Sequence, residues 1–161
     1  MPETLERLEP FTPAAPLPHI LANYFAKFVR YWSKQAEVRY LGPAQDIPLE
    51  MPIERSVRWE GNARGTVVVR CYEGFAKWLK KNKGYKPLNF GTENEMMNEM
   101  AGLFSTYLIH NFWESEQLRI SPIQIKTSRQ EEWPEGQADA AFSLLVEGHP
   151  VEIRFWAENA Q

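Results

Sequence analysis

The sequence predicts an α+β domain: a largely antiparallel sheet with helices packed on one face. Three observations carry this. Runs with strand character fall in two groups along the chain, helical periodicities precede and separate those groups, and no β-α-β unit repeats. The predicted order is α-β-β-β-α-α-β-β-β. Residues 1–17 hold Pro2, Pro10, Pro13 and Pro16 with little periodicity and read as an extended arm; residues 18–161 read as a single domain. The first helix is expected over 18–34, with Pro18 in its opening turn and Leu21, Tyr24, Phe25, Phe28 and Trp32 recurring at spacings of three and four. A short strand at 37–41 leads into a connection with Pro43, Pro48 and Pro52. A hairpin follows: 55–60 alternates around Val57 and Trp59, a turn falls at 61–64, and 65–71 returns as a Val-rich run.

The second helix fits 73–83, with Phe75, Trp78 and Leu79 inward and Lys80, Lys81 and Lys83 favouring the dipole at its end. The longest helical candidate covers 93–113. Strands return at 117–126, 139–147 and 149–156, the last two joined by a tight turn through Gly148, while 128–136 reads as a long polar loop.

Composition narrows the function. The chain has 161 residues, 43% of them hydrophobic, which suits one domain with a sizeable core. Eighteen basic and 21 acidic residues give a net charge of −3, interspersed rather than striped, so nucleic acid is not an expected partner. Residues 1–6 are acidic and lack an apolar stretch, and no run approaches about 18 consecutive apolar residues. Neither a signal peptide nor a membrane span is expected, and the cytoplasm is the expected location. The single cysteine, Cys71, lies in an apolar run and reads as a buried structural thiol. His19, His110 and His149 are dispersed, without metal-ligand spacing, and no Gly-rich phosphate loop or nucleophile elbow is present. No cofactor or metal of the chain's own is expected.

One segment breaks pattern. At about 100° per residue, Met96, Met97, Met100, Ala101, Leu103, Phe104, Tyr107 and Leu108 share one broad half of the third helix and should face the core. Glu95, Asn98, Glu99, Gly102 and Thr106 fall at i, i+3, i+4, i+7 and i+11, forming an outward ridge. Gly inside a helix costs about 1 kcal/mol relative to Ala, and Asn competes for backbone hydrogen bonds, so two unfavourable choices share one face. Structure alone offers another account of Glu95. Thr92-Glu93-Asn94-Glu95 has capping-box spacing, in which Glu95 reaches back to the Thr92 amide for about 1 kcal/mol.

The stretch Glu95-Met96-Met97-Asn98-Glu99-Met100-Ala101-Gly102 matches a Glu-x-x-Asn-x-x-x-Gly signature and resembles the CheX/CheC family of chemotaxis phosphatases. The order of other segments agrees. Gly61-Asn62-Ala63-Arg64-Gly65-Thr66-Val67-Val68-Val69 followed by a helix resembles the family's glycine turn, strand and helix; Leu118-Arg119-Ile120-Ser121-Pro122 resembles its Ser-Pro segment; Glu147-Gly148-His149-Pro150-Val151 resembles its closing hairpin. The similarity spans roughly 18–156 and is closer to CheX, since a single Glu-x-x-Asn motif occurs. The stretches 42–52 and 128–136 have no obvious family counterpart, and Leu103 stands where relatives often place Asn.

The resemblance implies a two-component signalling hydrolase that removes the phosphoryl group from the aspartate of a phosphorylated CheY-like response regulator. It assigns Glu95 and Asn98 to catalysis, with Asn98 holding the attacking water and Glu95 pairing with the regulator's lysine. Glu99, Gly102 and Thr106, on the same ridge, are the expected partner-binding residues. Mg2+ is expected from the partner, and a homodimer from sheet pairing. The alternative is a non-catalytic docking module of the same fold, like flagellar switch proteins, that binds a response regulator or motor component. Asn98→Ala is expected to separate the two with little cost to stability.

Overall fold

The computed structural model describes residues 3–4, 17–44, 51–59, 64–82, 93–112, 124–127 and 133–158. Strand β1 (Glu3–Thr4) precedes helix α1 (Leu17–Trp32), then β2 (Val38–Pro43), β3 (Ile53–Trp59), β4 (Arg64–Cys71), α2 (Glu73–Lys81), α3 (Glu93–Phe112), β5 (Gln124–Thr127), β6 (Ala140–Val146) and β7 (His149–Glu158). The strands form one seven-stranded sheet in the order β1-β2-β6-β7-β4-β3-β5, and every pairing is antiparallel. The order of helices and strands matches the sequence expectation except at the arm, where Glu3 and Thr4 pair with Tyr40 and Arg39 of β2. Residues 5–16 of the arm, 61–63 of the turn expected at 61–64, the Ser-Pro segment at 118–122 and the first part of the polar loop at 128–132 lie outside the described residues, while Arg64 already belongs to β4. β2 also runs on past Leu41, with the pairing register shifting between Tyr40 and Gly42, whose φ of 129° suits glycine.

Antiparallel pairing aligns side-chain parity across the sheet. Val57, Val67, Phe155 and Ala140 form one cross-strand row, and Ile53, Cys71, Val151 and Leu144 another. Both rows face the helices and join a single core with Leu21, Phe25, Val29, Phe75, Leu79, Met97, Met100, Phe104 and Leu108. The β6–β7 connection is a two-residue turn, Glu147 and Gly148, with φ of 49° and 79°. Positive φ at both positions is the type I′ pattern whose twist matches the flanking strands. Gly65 has a steric role as well. A Cβ there would lie 2.4 Å from the Trp59 ring and 2.6 Å from the Trp156 carbonyl, so only glycine lets the indole of Trp59 lie across β4.

The opposite parity carries charge. Glu54, Arg70 and Glu152 stand opposite one another on β3, β4 and β7, and Arg70 is only 1% exposed. Its Nε donates to Glu54 Oε1 at 2.8 Å and its Nη1 to Glu152 Oε1 at 2.9 Å, while Arg154 Nε reaches the same Glu152 oxygen at 2.6 Å. Trp133 covers this ladder: its indole N–H donates to Glu54 Oε2 at 3.1 Å, and both guanidinium groups lie within 5.4 Å of its ring centre. The end of the 128–136 loop is therefore an aromatic lid on the sheet rather than a solvated polar stretch: Trp133 offers an N–H to a carboxylate and a ring face to two guanidinium groups that burial removes from water.

A buried cation between two carboxylates stabilises only while both partnerships hold. Arg70→Met is expected to cost about 3–5 kcal/mol of folding free energy. The loss should appear in urea titrations as a lower midpoint with an unchanged slope.

Candidate functional site

Helix α3 rests against α1, α2, β3 and β5. Its inward side is fully buried at Met97, Met100, Ala101, Phe104 and Leu108, with Ser105 also enclosed. Phe104 meets Phe25 edge-on at 4.9 Å and Phe28 at 5.8 Å, which fixes the helix's rotation about its axis. That rotation decides what faces outward. Glu95 and Asn98 are exposed, and Glu99, Gly102 and Thr106 are half-buried, so none of the five ridge residues shares the fully buried side of the helix.

Leu103 departs from expectation. It is 41% exposed rather than in the core. Four residues beyond Glu99, it sits only about 40° further round the helix and belongs to the ridge's shoulder. The buried face of α3 is narrower than its apolar periodicity predicts, since among the described residues it is α1, α2, β3 and β5 that set how far the cover extends. The side chains of Met96 and Tyr107, and Thr92 of the capping box, lie outside the described residues. Thr106 donates its hydroxyl to the Gly102 carbonyl at 3.0 Å, one turn back along the helix.

The residue missed by sequence reasoning is Arg55. It has the inward parity of Val57 and Trp59 and stands between Thr127 of β5 and Val69 of β4, placing a cation beside the apolar Val69, Ile153 and Phe142 of the same row. It is 6% exposed. Its Nε–H donates to Asn98 Oδ1 at 2.7 Å, and its Nη1 donates to the Glu54 backbone carbonyl at 3.0 Å. The signal was present as an Arg at an inward strand position, but only the packing of α3 on β3 shows what it meets. Burial pulls the Arg55 pKa below its ordinary value, yet guanidinium starts so high that it stays charged.

Cys71, one row along the same face, is buried with its Sγ 3.9 Å from Met97 Sδ. Burial pushes its thiol up to about 12, opposed in part by the positive charge of Arg55. It is a packing group, not a nucleophile.

Clefts of about 520 Å³ beside Trp133 and Trp156, and about 620 Å³ beside Trp78 and His149, are lined by residues outside the ridge. Among the described residues, no three His, Cys, Asp or Glu side chains cluster as a metal site, and no helix is long and apolar enough to cross a membrane. An exposed amide with a carboxylate one turn away suits contact with another macromolecule's recess better than enclosure of a small ligand.

The fold belongs to a known class. No family model and no curated protein matches the sequence. Solved structures do. The chemotaxis protein CheX from Vibrio vulnificus superposes with a TM-score of 0.60 at 14% identity, over 86% of this chain and 99% of that one. CheX in the CheX–CheY–BeF3–Mg2+ complex from Borrelia burgdorferi gives 0.54 at 11% identity, covering 86% and 95%. A CheC-like superfamily protein from Shewanella sp. PV-4 gives 0.53 at 11%, covering 86% and 94%. The chain has the fold of the CheX and CheC-like chemotaxis proteins.

Native Cys71 should remain inert to thiol reagents at pH 8 and react only on unfolding. Because its folded pKa lies above the ordinary 9.0, its protonated form's contribution to stability is intact below pH 9 and lost as pH rises toward about 12. Denaturation midpoints measured across that window should fall with rising pH.

Proposed function

We propose that this chain is a phosphatase that removes the phosphoryl group from the aspartate of a CheY-like response regulator. The observation that carries the reading is the exposure of Asn98 and Glu95 together on α3, in a chain whose fold is that of chemotaxis proteins. A structural relative from Borrelia burgdorferi is held in a complex with CheY, and an exposed amide with an exposed carboxylate one turn away is a suitable pair for entering a regulator's recess.

An acyl phosphate is already reactive, so the phosphatase mainly has to orient a water in line with the bond to be broken. Asn98 would enter the regulator's pocket and hold that water through its carboxamide. The water oxygen bonds to phosphorus, the phosphorus–oxygen bond to the aspartyl group breaks, the aspartate leaves as a carboxylate, and the water's protons go to phosphate and solvent. Mg2+ would come with the regulator and neutralise charge on the phosphoryl oxygens. Glu95 would pair with the regulator's lysine and set the register. Glu99, Gly102 and Thr106 would form the rest of the contact, with Gly102 letting partner loops approach closely. A ~100-fold acceleration requires about 2.7 kcal/mol, within reach of one oriented water. Dimerisation through a sheet edge belongs to the same proposal; β1 and β5 end the strand order.

Asn98→Ala should abolish acceleration of phosphate release from phosphorylated receiver domains. Where the sequence alone predicts little cost to stability, the contact with Arg55 predicts a loss of about 1–3 kcal/mol, because the variant removes an acceptor from a buried guanidinium. Asn98→Asp keeps the acceptor and the fold but removes the NH2 group and adds negative charge, so it should also be inactive while melting at least as high as Asn98→Ala. Glu95→Gln should weaken regulator binding, since Gln still serves a cap but cannot pair with a lysine. Complex formation with an unchanged lifetime of the phosphorylated regulator would identify the chain as a docking module instead.

A further inference from the structure

We infer that Arg55 is a positioning residue for Asn98, a sheet-borne clamp that fixes which end of the carboxamide the ridge presents. The inference deepens the phosphatase reading and rests on it.

An exposed asparagine is a poor aiming device. Its terminal torsion is broad and roughly two-fold, so oxygen and NH2 exchange places at little cost, and a water held by such a group is not held in one direction. Arg55 removes that freedom. The guanidinium has donors only, so the group it meets at 2.7 Å must be the amide oxygen. The hydrogen bond is charge-assisted and therefore among the stronger ones available. One lone pair of Oδ1 is engaged from below, which leaves the NH2 group and the second lone pair for the visitor, and the nearby positive charge polarises the amide toward stronger donation.

The clamp is itself immobile. Arg55 sits in β3, which is hydrogen-bonded on both sides, to β4 and to β5. Its side chain is buried, and its Nη1 is tied to the Glu54 carbonyl at 3.0 Å. The ordering of a long side chain is thus completed during folding rather than during the encounter, the condition under which orientation accelerates a reaction. A purely structural account, in which Asn98 merely satisfies a buried cation, predicts the same contact but different kinetics.

The test is a comparison of Arg55→Met and Arg55→Lys with the wild type, in the full chain, using a phosphorylated receiver domain as substrate. Arg55→Met keeps length and apolar packing but has no donor; Arg55→Lys restores a cationic donor. Positioning predicts a kcat lowered at least tenfold in Arg55→Met with KM unchanged, partial recovery in Arg55→Lys, and an Asn98 side-chain amide whose NMR order parameter drops into the flexible range, below about 0.6. Full kcat in Arg55→Met, or an equally rigid Asn98 amide in it, overturns the inference. If Arg55→Met does not fold, Arg55→Lys decides. A lone ammonium lacks the fork geometry, so positioning predicts reduced kcat and a loosened amide there, and wild-type values of both overturn it. Wild-type protein that fails to accelerate dephosphorylation at all sinks the phosphatase reading itself; an active wild type with fully active Arg55 variants sinks only the clamp.

Discussion

The hydrogen bond from the Arg55 guanidinium to the Asn98 carboxamide joins the molecule's packed interior to its exposed ridge. Everything around it serves to hold its two ends at that separation. β3 carries one end in a register set by seven paired positions with β4, and α3 carries the other in a rotation set by Phe104 against Phe25 and Phe28. Slipping the strand by one residue would turn Arg55 to the other side of the sheet and bring Glu54 or Ser56 beneath the helix. Rotating the helix by one position would bury the amide. The bond is short only because both alignments are right together.

The sheet's two faces solve different problems. Toward the helices, rows of Val, Ile, Phe and Ala contribute hydrophobic burial, into which a single row admits Arg55 and thereby a cation at the foot of the ridge. Away from them, Glu54, Arg70, Glu152 and Arg154 form a ladder closed by Trp133. Such a ladder adds little net stability compared with an apolar face, but its geometry is exacting, since any other strand register leaves a buried charge unpaired. The second face therefore reinforces the register on which the first depends.

Much of the fold was legible because its signals are local. The stripe from Leu21 to Phe28 marked α1, the alternation around Val57 and Trp59 marked β3, and Gly148 marked the closing turn; each shows up within about a dozen residues. The ridge of Glu95, Asn98, Glu99, Gly102 and Thr106 was legible for the same reason, as a periodicity on one helix. Leu103 was misplaced because a helical wheel shows direction but not how wide the covering neighbours are. The 128–136 stretch reads as a polar loop in the sequence because the partners of Trp133, namely Glu54, Arg70 and Arg154, are distant in the chain and meet it only after the sheet assembles.

By itself, then, the sequence determined the order and type of the elements and the set of polar residues that share an edge of α3, since both follow from periods of two and 3.6 residues along the backbone. Which cation stands under Asn98, and which lid closes the charged face, were decided only by tertiary structure. Arg55 and Asn98 are 43 residues apart and Glu54 and Trp133 are 79 apart. Contacts over such separations are selected by how strands pair and helices pack, and no periodicity in the chain encodes them.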